Sequence, residues 1–264
     1  MLFAGVDAGS RTIKVVIIDD ARMRILGSGL CDQGTGQADR AVEIFDKVLF
    51  KSRLKKKDIA AIVATGYGRN ALEWADTAVT EITCQACGIG HQAAHVRTII
   101  DIGGQDSKLI HLDPNGLVRD FAMNDRCAAG TGRFLEIVAE RLEMKLEDMA
   151  EIAKKADNPA IINSTCAVFA ETEIVGLLAS GVSAENIAAG VQNSVAKRIG
   201  AMAKARLQGP VIFTGGVALI PGMKNALSRA LGRAIEVAKI PQMTGALGAA
   251  ILASETNSGR TRYM

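Results

Sequence analysis

One strand–turn–strand plan occurs twice in this chain, and a duplicated plan restricts the available folds more than composition does. Residues 2–19 read LFAGVDAGSRTIKVVIID: an apolar strand reaching Asp7, a turn through Gly9, Ser10, Arg11 and Thr12, and a second strand from Lys14. Residues 98–113, TIIDIGGQDSKLIHLD, repeat it with Asp101, Gly103, Gly104 and Gln105 at the turn. Two such hairpins in the two halves predict duplicated lobes facing across a cleft, and clefts are where ligands bind. Further β-branched runs at 59–65 and 210–214 read as strands, and helical periodicity covers 38–51, 132–142, 167–179, 184–207 and 223–231. Alternating strands and helices imply α/β layers. No Pro-rich linker divides the halves. The expected division is a lobe over 1–90, rejoined by the C-terminal helix, and a lobe over 91–264.

The turns carry chemistry that ordinary hairpins do not need. A glycine beside each aspartate removes the side chain that would hold a phosphate off, and a tight turn aims backbone N–H groups inward as an anion nest. Ser10, Thr12 and Lys14 add hydroxyl and ammonium donors. Asp101 and Asp106 are suited to a hydrated divalent cation such as Mg2+, and Gln105 to orienting a water toward a terminal phosphorus. The sequence holds no Gly-x-x-x-x-Gly-Lys-Ser/Thr loop, which excludes a P-loop NTPase, and no Gly-x-Gly-x-x-Gly lies at a strand-to-helix turn. A third strand ends in Gly215 and Gly216, a bare backbone able to admit a flat adenosine. From Gln242 to Ala250 the residues read as a small-residue helix able to pack closely under such a site.

At 264 residues, 48% hydrophobic and 22% charged, the chain has enough apolar surface for two core-bearing lobes. Its 31 basic and 28 acidic residues leave a net charge of +3, too balanced to argue for nucleic acid or a membrane surface. The basic run at 51–57 reads as a solvated helix end or loop. No window is apolar for long enough to span a bilayer and no signal segment is present, so the expected location is the cytoplasm. His91 and His95 are spaced i, i+4 without a glutamate between them, so with His111 they read as surface or satisfied polar groups. Trp74 reads as packing.

Five cysteines, an odd number, point to thiols or metal ligands rather than disulfides. Cys127 and Cys166 each precede a stretch that reads as a helix start. Unpaired N–H groups and partial positive charge at such ends favour thiolates and an anionic centre. Two thiolates are half the set of an iron–sulfur cubane, and a symmetric dimer would supply the rest. Spacing alone leaves a rival open: Cys84-x-x-Cys87 with Cys127 and Cys166 would make four ligands in one chain. A third reading makes each cysteine a small buried hydrophobe, and Cys31 is read that way.

The three turns, in this order, resemble the acetate and sugar kinase, heat-shock chaperone and actin superfamily of ATPases, over nearly the whole chain. That resemblance implies an α/β fold of two actin-like (ribonuclease-H-like) lobes of duplicated topology with a nucleotide cleft between them. By position it implies ATP or ADP contacts from Gly9, Ser10, Arg11, Thr12, Ile13, Lys14, Gly103, Gly104, Gly215, Gly216 and Gln242. Asp7, Asp101 and Gln105 become the catalytic group. Residues 123–134 (MNDRCAAGTGRF), 64–70 (ATGYGRN) and 164–171 (STCAVFAE) resemble one branch: activators of 2-hydroxyacyl-CoA dehydratases and ATPase subunits of benzoyl-CoA reductase.

The branch implies a homodimer with one [4Fe–4S] cluster held by Cys127 and Cys166 of each subunit. It implies reduction by ferredoxin or flavodoxin, and ATP-dependent delivery of single electrons to a separate iron–sulfur dehydratase acting on a 2-hydroxyacyl-CoA. The same resemblance weighs against Cys84 and Cys87, because that segment usually reads Cys-His-Ala and here carries Gln85. An aryl-CoA reductase subunit is the near alternative; a metabolite kinase and a nucleotide-switched scaffold are the distant ones.

Overall fold

The computed structural model describes residues 1–163, 166–203 and 207–259. They form two compact units: Met1–Val96 with Leu112–Arg119 and the segment from Ala238, and Arg97–His111 with Asp120–Val237. The first unit contains β1 (Leu2–Ala8), β2 (Thr12–Asp19), β3 (Arg24–Asp32), α1 (Gln37–Lys51), β4 (Ile59–Thr65), β5 (Thr77–Ala78) and α2 (Glu81–Gln92). The second contains β6 (Thr98–Ile102), β7 (Ser107–Leu112), β8 (Val118–Asn124), α3 (Gly132–Arg141), α4 (Leu146–Ile152), α5 (Ala167–Ala179), α6 (Ala184–Ala203), β9 (Val211–Thr214), α7 (Met223–Leu231) and β10 (Ile235–Val237). Leu112 and the first two residues of β8 are assigned to the first unit, and α8 (Thr244–Asn257) belongs wholly to it.

Each unit is built on a five-stranded sheet, in the orders β3-β2-β1-β4-β5 and β8-β7-β6-β9-β10. The central strand of each pairs antiparallel with its hairpin partner and parallel with the strand on its other side. The two units therefore repeat one topology, as the duplicated hairpins predict. Every residue of β6 and β7 is buried, and β1 is buried from Phe3 onward, as expected of strands covered on both faces.

In the first unit alternate strand residues feed two cores. Ala4, Val6, Ile13, Val15 and Ile17 pack with Ile44, Phe45, Val48 and Leu49 of α1. Phe3, Val16, Ile18 and Val63 pack with α2 and α8. On that second face the contacts are backbone to backbone. A Cβ on Gly5 would lie 2.0 Å from the Ala246 carbonyl oxygen, and one on Gly248 would lie 1.8 Å from that of Cys84. The small-residue stripe of α8 is thus explained by close packing on β1 and α2.

The second unit has a single core joining β6, β7 and β9 to α3, α5, α6 and α7 through Ile100, Phe134, Ile174, Val195, Phe213 and Leu227. Several elements have weak sequence signals. β3 carries Gly27 and Gly29, which face Val48 and Ile44 of α1 and leave no side-chain pattern to read. α2 begins where the Thr80 hydroxyl accepts the Thr83 N–H and ends at Gln92. His95 lies beyond it with φ 63°, so His91 and His95 do not share a helix. The expected continuation of α6 through 204–206 lies outside the described residues. No described helix is long and apolar enough to cross a membrane.

Candidate functional site

The hairpin registers set the geometry of both phosphate-type turns. In the first unit Asp7 pairs with Lys14 across the strands, and Lys14 Nζ lies 3.2 Å from Asp7 Oδ2. Gly9 N–H donates to the Thr12 carbonyl, closing a turn with Ser10 and Arg11 at its tip. Arg11 points outward to Asp32 at 3.7 Å. The Ile13 side chain is fully buried in the α1 core, which leaves only its backbone for any ligand. Gln37, at the start of α1, supports the turn from behind by donating to the carbonyls of Ala8 and Gly9.

The second unit repeats this arrangement with a shift of charge. Asp101 pairs with Lys108, and Gly103 N–H donates to the Asp106 carbonyl, leaving Gly104 and exposed Gln105 at the tip. Lys108 is buried, its side chain 3% exposed, with Nζ 2.7 Å from Asp106 Oδ2 and 3.6 Å from Asp101 Oδ2. The cation between these two carboxylates is thus a lysine, a residue that the turn motif alone does not mark. A signal existed: Lys108 follows Asp101 at the interval that separates Lys14 from Asp7.

The glycine turn after β9 also has an unanticipated counterpart. Thr214 ends β9 and Gly215 follows it, and Thr65 ends β4 with Gly66 following in the same place of the other unit. Both threonines are fully buried and both glycines have φ 87°. A Cβ at Gly215 would lie 2.3 Å from the Ile102 carbonyl oxygen and 2.5 Å from Asp101 Oδ1; at Gly66 it would lie 2.4 Å from Asp7 Oδ1. Each glycine therefore lets a parallel neighbour strand turn over the aspartate of the central strand, in a backbone conformation that favours glycine. Gln242 lies in the short turn Pro241–Met243 ahead of α8, and Gly245 faces Asp7 within the first unit.

All five cysteines are thiols. Cys84 and Cys87 are buried on α2 against α8. Burial pushes the Cys84 thiol up to about 12, with a hydrogen bond to Thr65 acting the other way. Cys31 is half-buried on β3 and also raised by burial. Cys127 and Cys166 both belong to the second unit, both are half-buried, and each occupies the N-cap position of a helical segment in extended backbone. Asn124 embraces Cys127, accepting its N–H and donating to its carbonyl. Ser164 and Thr165, just before Cys166, lie outside the described residues.

Comparison with known proteins assigns the chain to a family. The profile of the BadF/BadG/BcrA/BcrD ATPase family matches residues 4–253. The chain belongs to this ATPase family. It is 47% identical over 258 residues to the activator of lactoyl-CoA dehydratase of Anaerotignum propionicum, covering 97% of this chain and 98% of that one. It is 44% identical to the (R)-2-hydroxyglutaryl-CoA dehydratase activating ATPase of Acidaminococcus fermentans, covering 94% and 95%. The activator of the 2-hydroxyisocaproyl-CoA dehydratase from Clostridium difficile, solved with bound ADPNP, superposes over all of both chains with TM-score 0.91 and 39% identity. Two five-stranded α/β units of one topology are the actin-like ATPase fold that the sequence predicts.

Proposed function

We propose that this ATPase is a one-electron donor that activates a 2-hydroxyacyl-CoA dehydratase. The named relatives, at 44–47% identity over nearly their full lengths, support that reading. ATP with Mg2+ is the ligand proposed for these phosphate-type turns, each taken within its own unit. Lys14, Ser10 and Thr12 offer donors in one, and the backbone of Gly104 and Gln105 offers N–H groups in the other. Gln105, exposed at its tip, is free to orient water.

The observation that carries the cluster assignment is the setting of Cys166. It caps α5, a helix on which only Ala167, Ala170 and Ile174 are buried, while Val168, Phe169, Val175 and Leu178 are exposed. Val168 and Phe169 are 68% and 69% exposed beside the thiol. An apolar surface of that kind around a half-buried ligand fits a second copy of the chain. Among the described residues no three His, Cys, Asp or Glu side chains gather as a metal site. A four-thiolate set built on Cys127 and Cys166 then calls for two chains.

The residues present fit a [4Fe–4S] group shared by a homodimer. Such a group supplies a store for one electron at low potential. The N-terminus of α5 behind Cys166 would offset part of its negative charge, and about 59 mV of one-electron potential corresponds to about 1.4 kcal/mol. Cys84 and Cys87 do not fit as ligands: they are core residues, and Cys84 holds its proton to about 12. A small iron–sulfur or flavin protein, ferredoxin or flavodoxin, is the proposed donor.

The test mixes anaerobically reconstituted, reduced protein with a purified 2-hydroxyacyl-CoA dehydratase and measures dehydration. Activation that depends on ATP supports the proposal. Activation to the same level without nucleotide, or none with it, overturns it.

A further inference from the structure

The turn that carries Gly103 and Gly104 is bonded directly to the segment that carries Cys127. Gly132 N–H donates to the Gly103 carbonyl at 2.9 Å and Arg133 N–H to the Gly104 carbonyl at 2.8 Å. These are the first two residues of α3, whose N–H groups have no partner inside their own helix. Normally such donors meet a capping side chain or water. Here they meet the Gly103 and Gly104 carbonyls, which lie on the same peptides as the Gly104 and Gln105 N–H groups proposed to meet the terminal phosphate.

Residues 128–131, between Cys127 and Gly132, contain little slack to absorb a movement. Thr131 is fully buried; both its N–H and its hydroxyl donate to the Ala128 carbonyl, at 3.0 and 2.7 Å. Ala129 and Gly130 are buried, and Asn124 clamps the Cys127 backbone at both its N–H and its carbonyl. Ala129 shares a core with Phe134 and Leu135 of α3 and with Ala167 and Ala170 of α5, so the helix behind Cys166 rests on the same segment. A Cβ on Gly132 would lie 3.1 Å from the Gly103 oxygen, 3.2 Å from Val217 Cγ2 and 3.5 Å from Gly104 Cα. Val217 belongs to the turn that follows Gly215. Gly132 therefore touches the phosphate turn and the nucleoside turn, and leads through a packed segment to Cys127.

We infer that the bonds from Gly132 and Arg133 to Gly103 and Gly104 are the mechanical link by which nucleotide state is passed to Cys127. This rests on the reading of Gly103–Gln105 as a phosphate turn. When the Gly104 and Gln105 N–H groups engage a phosphate, the Gly103–Gly104 peptides reorient, and the carbonyls on those same peptides carry the start of α3 with them. A ligand shifts an equilibrium only by binding its states differently, and shared peptide groups provide that difference. By reciprocity, whatever occupies Cys127 alters nucleotide affinity by the same factor.

The test uses cluster-free protein, so that it is independent of the cluster assignment. Iodoacetamide labelling of Cys127 is followed by peptide mass spectrometry with and without saturating ADPNP, whose binding is measured by calorimetry. Two substitutions separate backbone from side chain at the second residue of α3. Arg133→Pro deletes one linking N–H at a helix position that tolerates proline, while Arg133→Ala keeps it. Gly132→Ala supplies an independent perturbation by crowding the Gly103 oxygen.

Wild type and Arg133→Ala are expected to change their Cys127 labelling rate about five-fold or more on binding ADPNP. Arg133→Pro and Gly132→Ala are expected to bind ADPNP without that response. The inference is overturned if wild-type labelling ignores bound ADPNP, or if Arg133→Pro responds like Arg133→Ala. Either result leaves the dehydratase assay to decide the proposed function separately.

Discussion

Lys108 is a buried charge held between two carboxylates. Its ammonium is 3% exposed between Asp101, itself 6% exposed at the side chain, and Asp106, 22% exposed. Lys108→Met keeps most of the volume and leaves two carboxylates facing each other with no cation. Breaking a buried pair by removing one partner costs about 3–5 kcal/mol, most of it the desolvation of the charge left behind. Lys14→Met in the first unit is the internal control. That lysine meets one carboxylate at 3.2 Å and both side chains keep more water, 14% and 13% exposed, so the expected cost is about 1.5–3 kcal/mol.

Urea denaturation followed by circular dichroism, without nucleotide or divalent cation, measures both substitutions. Combining Lys108→Met with Asp101→Asn and Asp106→Asn removes the stranded charges and should recover a good part of the loss, since neutral replacement of a buried ion set is often tolerated. A cost below about 1 kcal/mol for Lys108→Met, or a triple variant no more stable than the single one, would refute the reasoning.

Three other consequences are open to measurement. Gly215 adopts φ 87° and ψ 173° against the Ile102 carbonyl, so Gly215→Ala should cost about 1–3 kcal/mol or more and weaken ADPNP binding; calorimetry showing wild-type affinity would contradict that. Cys84 titrates near 9 when unfolded and near 12 when folded, so only the unfolded chain loses its proton between those values. The stability this thiol contributes is present in full below about pH 9 and is lost as pH rises toward 12, by about 1.4 kcal/mol per unit. Wild type should therefore lose about 1 kcal/mol relative to Cys84→Ala between pH 8 and pH 10, and parallel profiles would argue against it. Phe169→Asp places a charge on the exposed apolar face of α5 and should yield monomers by light scattering, whereas an intact dimer would remove α5 from the interface.

The duplicated hairpins were legible in the sequence because fully buried strands leave continuous apolar runs, and aspartate–glycine turns interrupt them sharply. The sheet edges were not. β5 and β10 are two and three residues long, and β3 hides its inward face behind glycines that α1 packs against. α2 was missed because its buried face is Cys84, Ala86, Cys87 and Gly88, small residues whose role appears only once α8 lies against them. At the site, the sequence pointed to Asp7, Asp101, the turn glycines and both N-cap cysteines. Lys108 and Gln37 needed the structure, and the Thr65–Gly66 turn, marked in the sequence only as part of a family motif, needed the topology to appear as the counterpart of Thr214–Gly215. Ile13 could be assigned to a binding turn by position, but only burial reveals that its side chain faces the core.

Iron content against oligomeric state bears most directly on the central claim. Protein purified without oxygen, assayed for iron and sulfide and sized by light scattering, is predicted to hold about four irons per two chains. Cys127→Ala and Cys166→Ala should each lose that iron while still binding ADPNP. Four irons per single chain, or full iron in either cysteine variant, would contradict a cluster shared between Cys127 and Cys166 of two subunits.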